Sequence, residues 1–146
     1  MLQDLYQEMI LDHGRAPRNH GVLVSANCCH EGYNPLCGDR VKVYVFEQEG
    51  VIKEVQFTGD GCAICIASSS LMTEMLKGLA VEAARALFDS FHQVLMDPRS
   101  SEAEELGKLA ALKGVSRYPM RVKCATLPWH TLFAALSGEN KLVSTE

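Results

Sequence analysis

Residues 51–79, VIKEVQFTGDGCAICIASSSLMTEMLKGL, change their period partway along. From Val51 to Phe57 apolar and polar side chains alternate, the pattern of a strand with one face buried. Beyond Gly59-Asp60-Gly61 the alternation stops, and Ile64, Leu71, Met72, Met75, Leu76 and Leu79 recur at helical spacing. Cys62 stands at the mouth of that helix. A strand that feeds directly into an amphipathic helix calls for a sheet with helices laid on it.

Upstream, Val41, Val43 and Val45 alternate with Lys42, Tyr44 and Phe46, and Gln48-Glu49-Gly50 joins this run to the next as a hairpin with glycine at a left-handed position. Val22-Leu23-Val24-Ser25-Ala26 reads as a first strand. Three short strands joined locally predict an antiparallel sheet that leaves one face for helices to cover, an α+β fold. Leu2, Leu5, Tyr6, Met9, Ile10 and His13 predict an N-terminal helix ended by Gly14-Arg15-Ala16-Pro17. A further helix runs from Val81 to Leu95 and stops at Asp97-Pro98. Ser101 is placed to cap another that holds Leu106, Leu109 and Leu112, and Gly114 to Met120 reads as a loop. The last helix carries Pro128 in its first turn and Gly138 after its end. Residues 1–138 form a single domain, with 139–146 as a flexible tail.

At 146 residues, 47% apolar and 22% charged, the chain can bury a core without crosslinks. A net charge of -4 argues against a nucleic-acid partner. No apolar run reaches the roughly 20 residues that span a bilayer. The start Met1-Leu2-Gln3-Asp4 lacks the basic segment of a signal peptide, so the expected location is cytoplasmic. In that reducing setting six cysteines point to metal or thiol chemistry more than to disulfides.

Three of the six have telling surroundings. Cys37 lies in the turn Asn34-Pro35-Leu36-Cys37-Gly38-Asp39, Cys62 precedes a helix, and Cys124 follows Arg121-Val122-Lys123 and precedes the helix start Thr126-Leu127-Pro128. Helix N-termini and basic neighbours stabilise thiolates. Asp39 offers a carboxylate as a fourth donor, and three sulfurs with one oxygen suit tetrahedral zinc or one edge of an iron–sulfur cluster. The same cysteines also fit a role as small buried apolar residues, Asp39 fits a turn cap, and Arg121 and Lys123 fit either thiol activation or surface solvation. Cys65 reads as core packing, and Cys28 and Cys29 as incidental, with Cys29-His30 able to hold adventitious metal. His13, His20, His92, His130 and Trp129 read as structural, and Ser68 to Ser70 as backbone-bonding rather than nucleophilic.

The segments NPLCGD at 34–39, GDGCAICIASSS at 59–70 and RVKCATLPW at 121–129, with the opening helix and Gly14-Arg15-Ala16-Pro17-Arg18-Asn19, resemble the U-type iron–sulfur assembly family of IscU and SufU proteins. The resemblance spans residues 2–137. It implies a compact α+β domain in which Cys37, Asp39, Cys62 and Cys124 hold Zn2+ or a transient [2Fe-2S] cluster. It also implies a pyridoxal-phosphate (PLP) cysteine desulfurase as partner, with downstream iron–sulfur assembly proteins receiving the sulfur. Lys123 stands where IscU-type scaffolds carry histidine, and an extra segment falls at about Phe91 to Ala110; both features resemble SufU, the zinc-dependent sulfurtransferase branch. That branch implies ligand exchange when the desulfurase docks, with Cys37 released as the sulfur acceptor. Two other readings stay open: a scaffold on which a [2Fe-2S] cluster forms and leaves, and a zinc-stabilised interaction domain without transfer chemistry.

Overall fold

In the computed structural model, which describes residues 2–97, 99, 106–138 and 143–144, Glu49 and Gly50 both adopt left-handed backbone angles, φ 54° and 79°. Two consecutive positive φ values make the two-residue turn whose twist matches flanking strands, and it joins β2 (Asp39–Gln48) to β3 (Val51–Asp60). In this register Val43 faces Phe57 and Val45 faces Val55, and their side chains line the buried face with Val41 and Ile52. The opposite face carries Arg40, Lys42 and Tyr44, of which Lys42 lies over the Tyr44 ring.

The first strand is not at 22–26. Val22 and Val24 are 62% and 95% exposed, and Ala26 N–H closes a turn onto the Leu23 carbonyl. The strand β1 is Cys28–Asn34, antiparallel to β2 with His30 opposite Val43 and Asn34 opposite Asp39. Its sequence hides the assignment because Gly32 occupies an inward position where a side chain would be expected. There the helix side chain Thr131 passes too close for any Cβ. Val143–Ser144 (β4) adds a short parallel edge on β1, giving the order β3-β2-β1-β4 around the three antiparallel strands. The rest of the expected tail, 139–142 and 145–146, lies outside the described residues.

Helix α1 is Leu2–Arg15, α2 is Ala63–Leu76 and α3 is Val81–Met96, each close to its expected span. The region 107–117 departs from expectation: it is a 3-10 helix, Gly107–Arg117, that takes in most of the expected loop. Its buried side chains Leu109, Leu112 and Val115 recur every third residue, the repeat of a three-residue turn. Pro98 and Ser101, expected as stop and cap, lie outside the described residues.

The last helix, α4, is Pro119–Ser137 and begins well before the expected start. Pro119 is the proline of its first turn, Pro128 lies in its interior, and Gly138 at φ 71° caps its end. Cys124 is therefore inside a helix. Pro128 has no N–H for the Cys124 carbonyl four residues back, so the ladder of helical bonds is interrupted at that cysteine. The α4 helix packs on β1 and β2, while α2 packs against both α1 and α4. No described helix is long and apolar enough to cross a membrane.

Candidate metal centre

The turn between β1 and β2 is held by its own Asn34. The side-chain oxygen of Asn34 accepts from Leu36 N–H at 3.1 Å and its carbonyl from Gly38 N–H at 2.8 Å. Gly38 at φ 76° completes the reversal and leaves Cys37 exposed at the tip. Among the described residues Asn34 Nδ2 is the sole buried side-chain nitrogen or oxygen that lacks a hydrogen-bond partner, and Asn34 sits opposite Asp39 across the hairpin.

Asp39 opens β2 and is fully buried. Its Oδ1 accepts from the backbone N–H of Cys62 at 2.8 Å, while Oδ2 lies 3.2 Å from Cys37 Sγ and 3.7 Å from Cys62 Sγ. One carboxylate oxygen thus fixes the entrance of α2 and the other faces the thiols. Cys62 is the N-cap of α2, and its sulfur accepts from Cys65 N–H at 3.4 Å. Cys124 approaches from α4, and its sulfur stands 3.3 Å from Cys37 Sγ. The donor atoms of Cys37, Asp39 and Cys124 all lie within 4.8 Å of one another.

These distances suit a metal ion. Bonds of about 2.3 Å to sulfur and about 2.1 Å to oxygen give tetrahedral edges of about 3.6–3.8 Å. The separations of 3.2, 3.3 and 3.7 Å match these or fall a few tenths of an ångström short. Three soft sulfurs and one hard oxygen are a donor set that zinc accepts.

The crowded thiols shift one another's protonation. Cys62 is drawn down to about 7, chiefly by hydrogen bonding with the Cys124 thiol, against the opposing effect of burial. Cys124 is pushed up by the same bond to Cys62 and by burial. Burial also raises Cys37. Bonds to Asp39 and Cys37 act on the Cys124 thiol in the same upward direction. The helix-start argument for Cys124 fails, because it lies within α4 and not before it. Arg121 is exposed with its guanidinium 4.6 Å from the Tyr118 ring centre.

The remaining candidates have packing roles. Cys65 is fully buried and its thiol is pushed far up by burial. All six cysteines are free, Cys28 half-buried and Cys29 exposed at the start of β1. Ser68 donates to the Ala125 carbonyl at 2.6 Å and accepts from Trp129 Nε1 at 3.1 Å, so it ties α2 to the helix that carries Cys124. Ser69 donates to the Cys65 carbonyl, and Ser70 meets His13 and Arg18 N–H. His20 packs edge-on against Phe57, and His92 and His130 pack edge-on against Phe88. Sequence reasoning missed Asn34 and Gly61. For Gly61 the signal was the glycine itself: a Cβ there would lie 2.9 Å from Asp39 Oδ1.

An antiparallel sheet backed by helices carries at one end a group of Cys37, Asp39 and Cys124 that could hold a metal ion, with Cys62 outside that group but beside Asp39. Residues 5–125 match the NifU-like N-terminal domain, and the chain belongs to that family. It is 36% identical over 138 residues to the zinc-dependent sulfurtransferase SufU of Bacillus subtilis strain 168, covering 94% of this chain and 93% of that protein. It is 37% identical over 135 residues to the iron-sulfur cluster assembly scaffold protein IscU of Streptococcus pyogenes serotype M1, covering 92% and 84%. A crystal structure from Fervidobacterium islandicum AW-1, described as an iron-sulfur cluster assembly scaffold protein for the SUF system, superposes with a TM-score of 0.83 at 34% identity. That superposition covers 92% of this chain and 98% of the other.

Proposed function

We propose that the protein accepts persulfide sulfur from a PLP-dependent cysteine desulfurase and passes it into iron–sulfur cluster assembly, as a cytoplasmic sulfurtransferase. The observation that carries this reading is the convergence of Cys37, Asp39, Cys62 and Cys124, four donors from three separate parts of the chain. In it Cys37, Asp39, Cys62 and Cys124 hold Zn2+, which when bound keeps the thiols deprotonated and ordered.

Within the set Cys37 is the acceptor. It is exposed on a turn with a left-handed glycine beside it, so it can present its sulfur to a partner without disturbing a helix or strand. Cys124 is buried within α4 and Cys62 is tied to the first turn of α2. Asp39 keeps Cys62 in place through Oδ1 whatever Oδ2 is bonded to. Arg121, exposed on the same turn of α4 as Cys124, is free to meet a carboxylate of the partner, and Lys123 sets a positive charge beside Cys124 in the chain.

The test mixes the zinc-loaded protein with a cognate cysteine desulfurase and free cysteine, follows turnover and maps persulfide by mass spectrometry. Faster turnover with extra sulfur on Cys37, lost in Cys37→Ala, is the expected result. Full sulfur acceptance by Cys37→Ala would remove the assignment. The similarity to IscU supports a second reading, a [2Fe-2S] scaffold on the same cysteines. A visible iron–sulfur chromophore that survives purification on wild type and is lost in Cys62→Ser would favour it.

A further inference from the structure

Cys37 Sγ, on the turn, and Cys124 Sγ, inside α4, stand 3.3 Å apart. A disulfide needs about 2.05 Å, so a movement of about 1.3 Å would join them. The turn that carries Cys37 is exposed, and Gly38 beside it has a left-handed backbone, whereas α4 holds Cys124 fixed and buried. Cys62 Sγ accepts from Cys65 N–H at 3.4 Å, lies beside Asp39 and neighbours Cys124, but falls outside the group of Cys37, Asp39 and Cys124 whose donor atoms lie within 4.8 Å of one another. Cys124 is thus the thiol that a persulfide on Cys37 would meet.

We propose that Cys124 resolves a Cys37 persulfide and releases its outer sulfur as sulfide, an activity beyond handing the persulfide on. This rests on Cys37 as the sulfur acceptor. The Cys124 sulfur attacks the inner sulfur of the persulfide, Cys37 Sγ, and the Cys37–Cys124 bond forms. Cys124 attacks as the thiolate; the bond from Cys37 Sγ to the outer sulfur breaks, and the outer sulfur leaves with the electron pair and its own proton as hydrosulfide. One persulfide and one thiolate become one disulfide and one hydrosulfide ion. The outer sulfur is reduced, and the Cys124 thiolate supplies the two electrons, so no external oxidant or reductant enters. Hydrosulfide is a good leaving group in thiol exchange. The disulfide must then be opened by a thiol or dithiol reductant, which is the class of reaction that has to follow each release.

The experiment loads the zinc-bound full chain in two ways, with desulfurase and limiting cysteine or with inorganic polysulfide. Excess reagent is removed, and the chain is followed without added thiol. Free sulfide is assayed, and alkylated, unreduced peptides are mapped by mass spectrometry. The expected course is loss of the extra sulfur on Cys37 with one sulfide released per persulfide lost and a Cys37–Cys124 crosslink in its place. In Cys124→Ser the persulfide should persist at least about tenfold longer without sulfide release. A stable persulfide in wild type, sulfide without that crosslink, or movement of the extra sulfur onto Cys124 would overturn the proposal. Sulfur taken from polysulfide but not from the desulfurase would remove the acceptor reading and still test this step. The wild-type map alone decides the case if Cys124→Ser fails to fold.

Discussion

At the scale of single residues, Asp39 has two tasks that a sequence motif cannot separate. Its Oδ1 bonds Cys62 N–H and its Oδ2 faces Cys37 and Cys62 sulfurs. The carboxylate fits because Gly61 has no side chain: a Cβ there would fall 2.9 Å from Oδ1 and 3.3 Å from Cγ of Asp39, and 3.3 Å from Cys65 Cβ. Gly61→Ala should push the carboxylate off the Cys62 N–H and lower zinc affinity by about 10–100-fold, the usual effect of losing a supporting contact at a metal site. Asp39→Ala should lose at least as much, since a donor goes too. Competition with a chromogenic chelator measures both, and unchanged affinity in Asp39→Ala would remove Asp39 from the donor set. The cysteines and Asp39 were legible because their residue types announce ligand chemistry. Gly61 was not, because its importance is the space it leaves for a residue 22 positions earlier.

At the scale of elements, α1 is fastened to α2 by a buried histidine. His13 Nδ1 lies 2.7 Å from Ser70 Oγ, which also accepts from Arg18 N–H at 2.8 Å. The other ring nitrogen, Nε2, lies 3.6 Å from Glu74 Oε1. The groups facing His13 are Glu74 and Lys108 from α2 and the 3-10 helix, with Arg18 and Asp12 beside it. Burial is the largest influence and lowers its pKa, with Arg18 next. The folded value thus lies below the unfolded one of about 6.5, so the unfolded chain binds the proton first. Stability from this site is complete above about pH 6.5 and is lost as the pH falls through the folded value. His13→Ala should cost about 1 kcal/mol at neutral pH by removing the buried hydrogen bond to Ser70, and should flatten the acid limb of the stability curve. Urea unfolding of both proteins across pH 5–8 is the measurement; an acid limb of equal slope in the variant would show that His13 is not its source.

The limits of local reading also show at this scale. The hairpin and α2 were legible because turn glycines and period report on the local backbone. Two assignments failed for reasons outside their own segments. Val22 and Val24 alternate like a strand but find no partner in the sheet, whereas β1 gives up a side chain at Gly32 to admit α4. Pro128 reads as a helix start, yet α4 runs through it, held by Ser68 on the Ala125 carbonyl and by the buried Trp129. Packing outweighs the local penalty of an interior proline there.

At the scale of the molecule, the apolar core of β2, β3, α2, α3 and α4 is continuous without the thiols of Cys37 and Cys62, which are exposed. Chelation of zinc should therefore leave the fold intact while lowering its stability. A ligand present at about a thousandfold its dissociation constant adds about 4 kcal/mol, which for a domain of this size is roughly 10 °C in Tm. Circular dichroism should show native secondary structure in the zinc-free protein and a transition earlier by about that amount. Collapse of the far-ultraviolet signal on chelation would favour the zinc-stabilised interaction domain.

By itself the sequence determined the antiparallel hairpin, the entry from β3 into α2 through Cys62, the main helices and the kind of chemistry its donors support. Each of these is written in neighbouring residues, because period, turn glycines and side-chain type act over a few positions of backbone. Tertiary structure alone decided that Cys124 meets Cys37 from within a helix and that Asp39 serves both a backbone N–H and the thiols. Those distances arise from how α4 lies on β1 and α2, and packing between segments far apart in the chain leaves no local period to read.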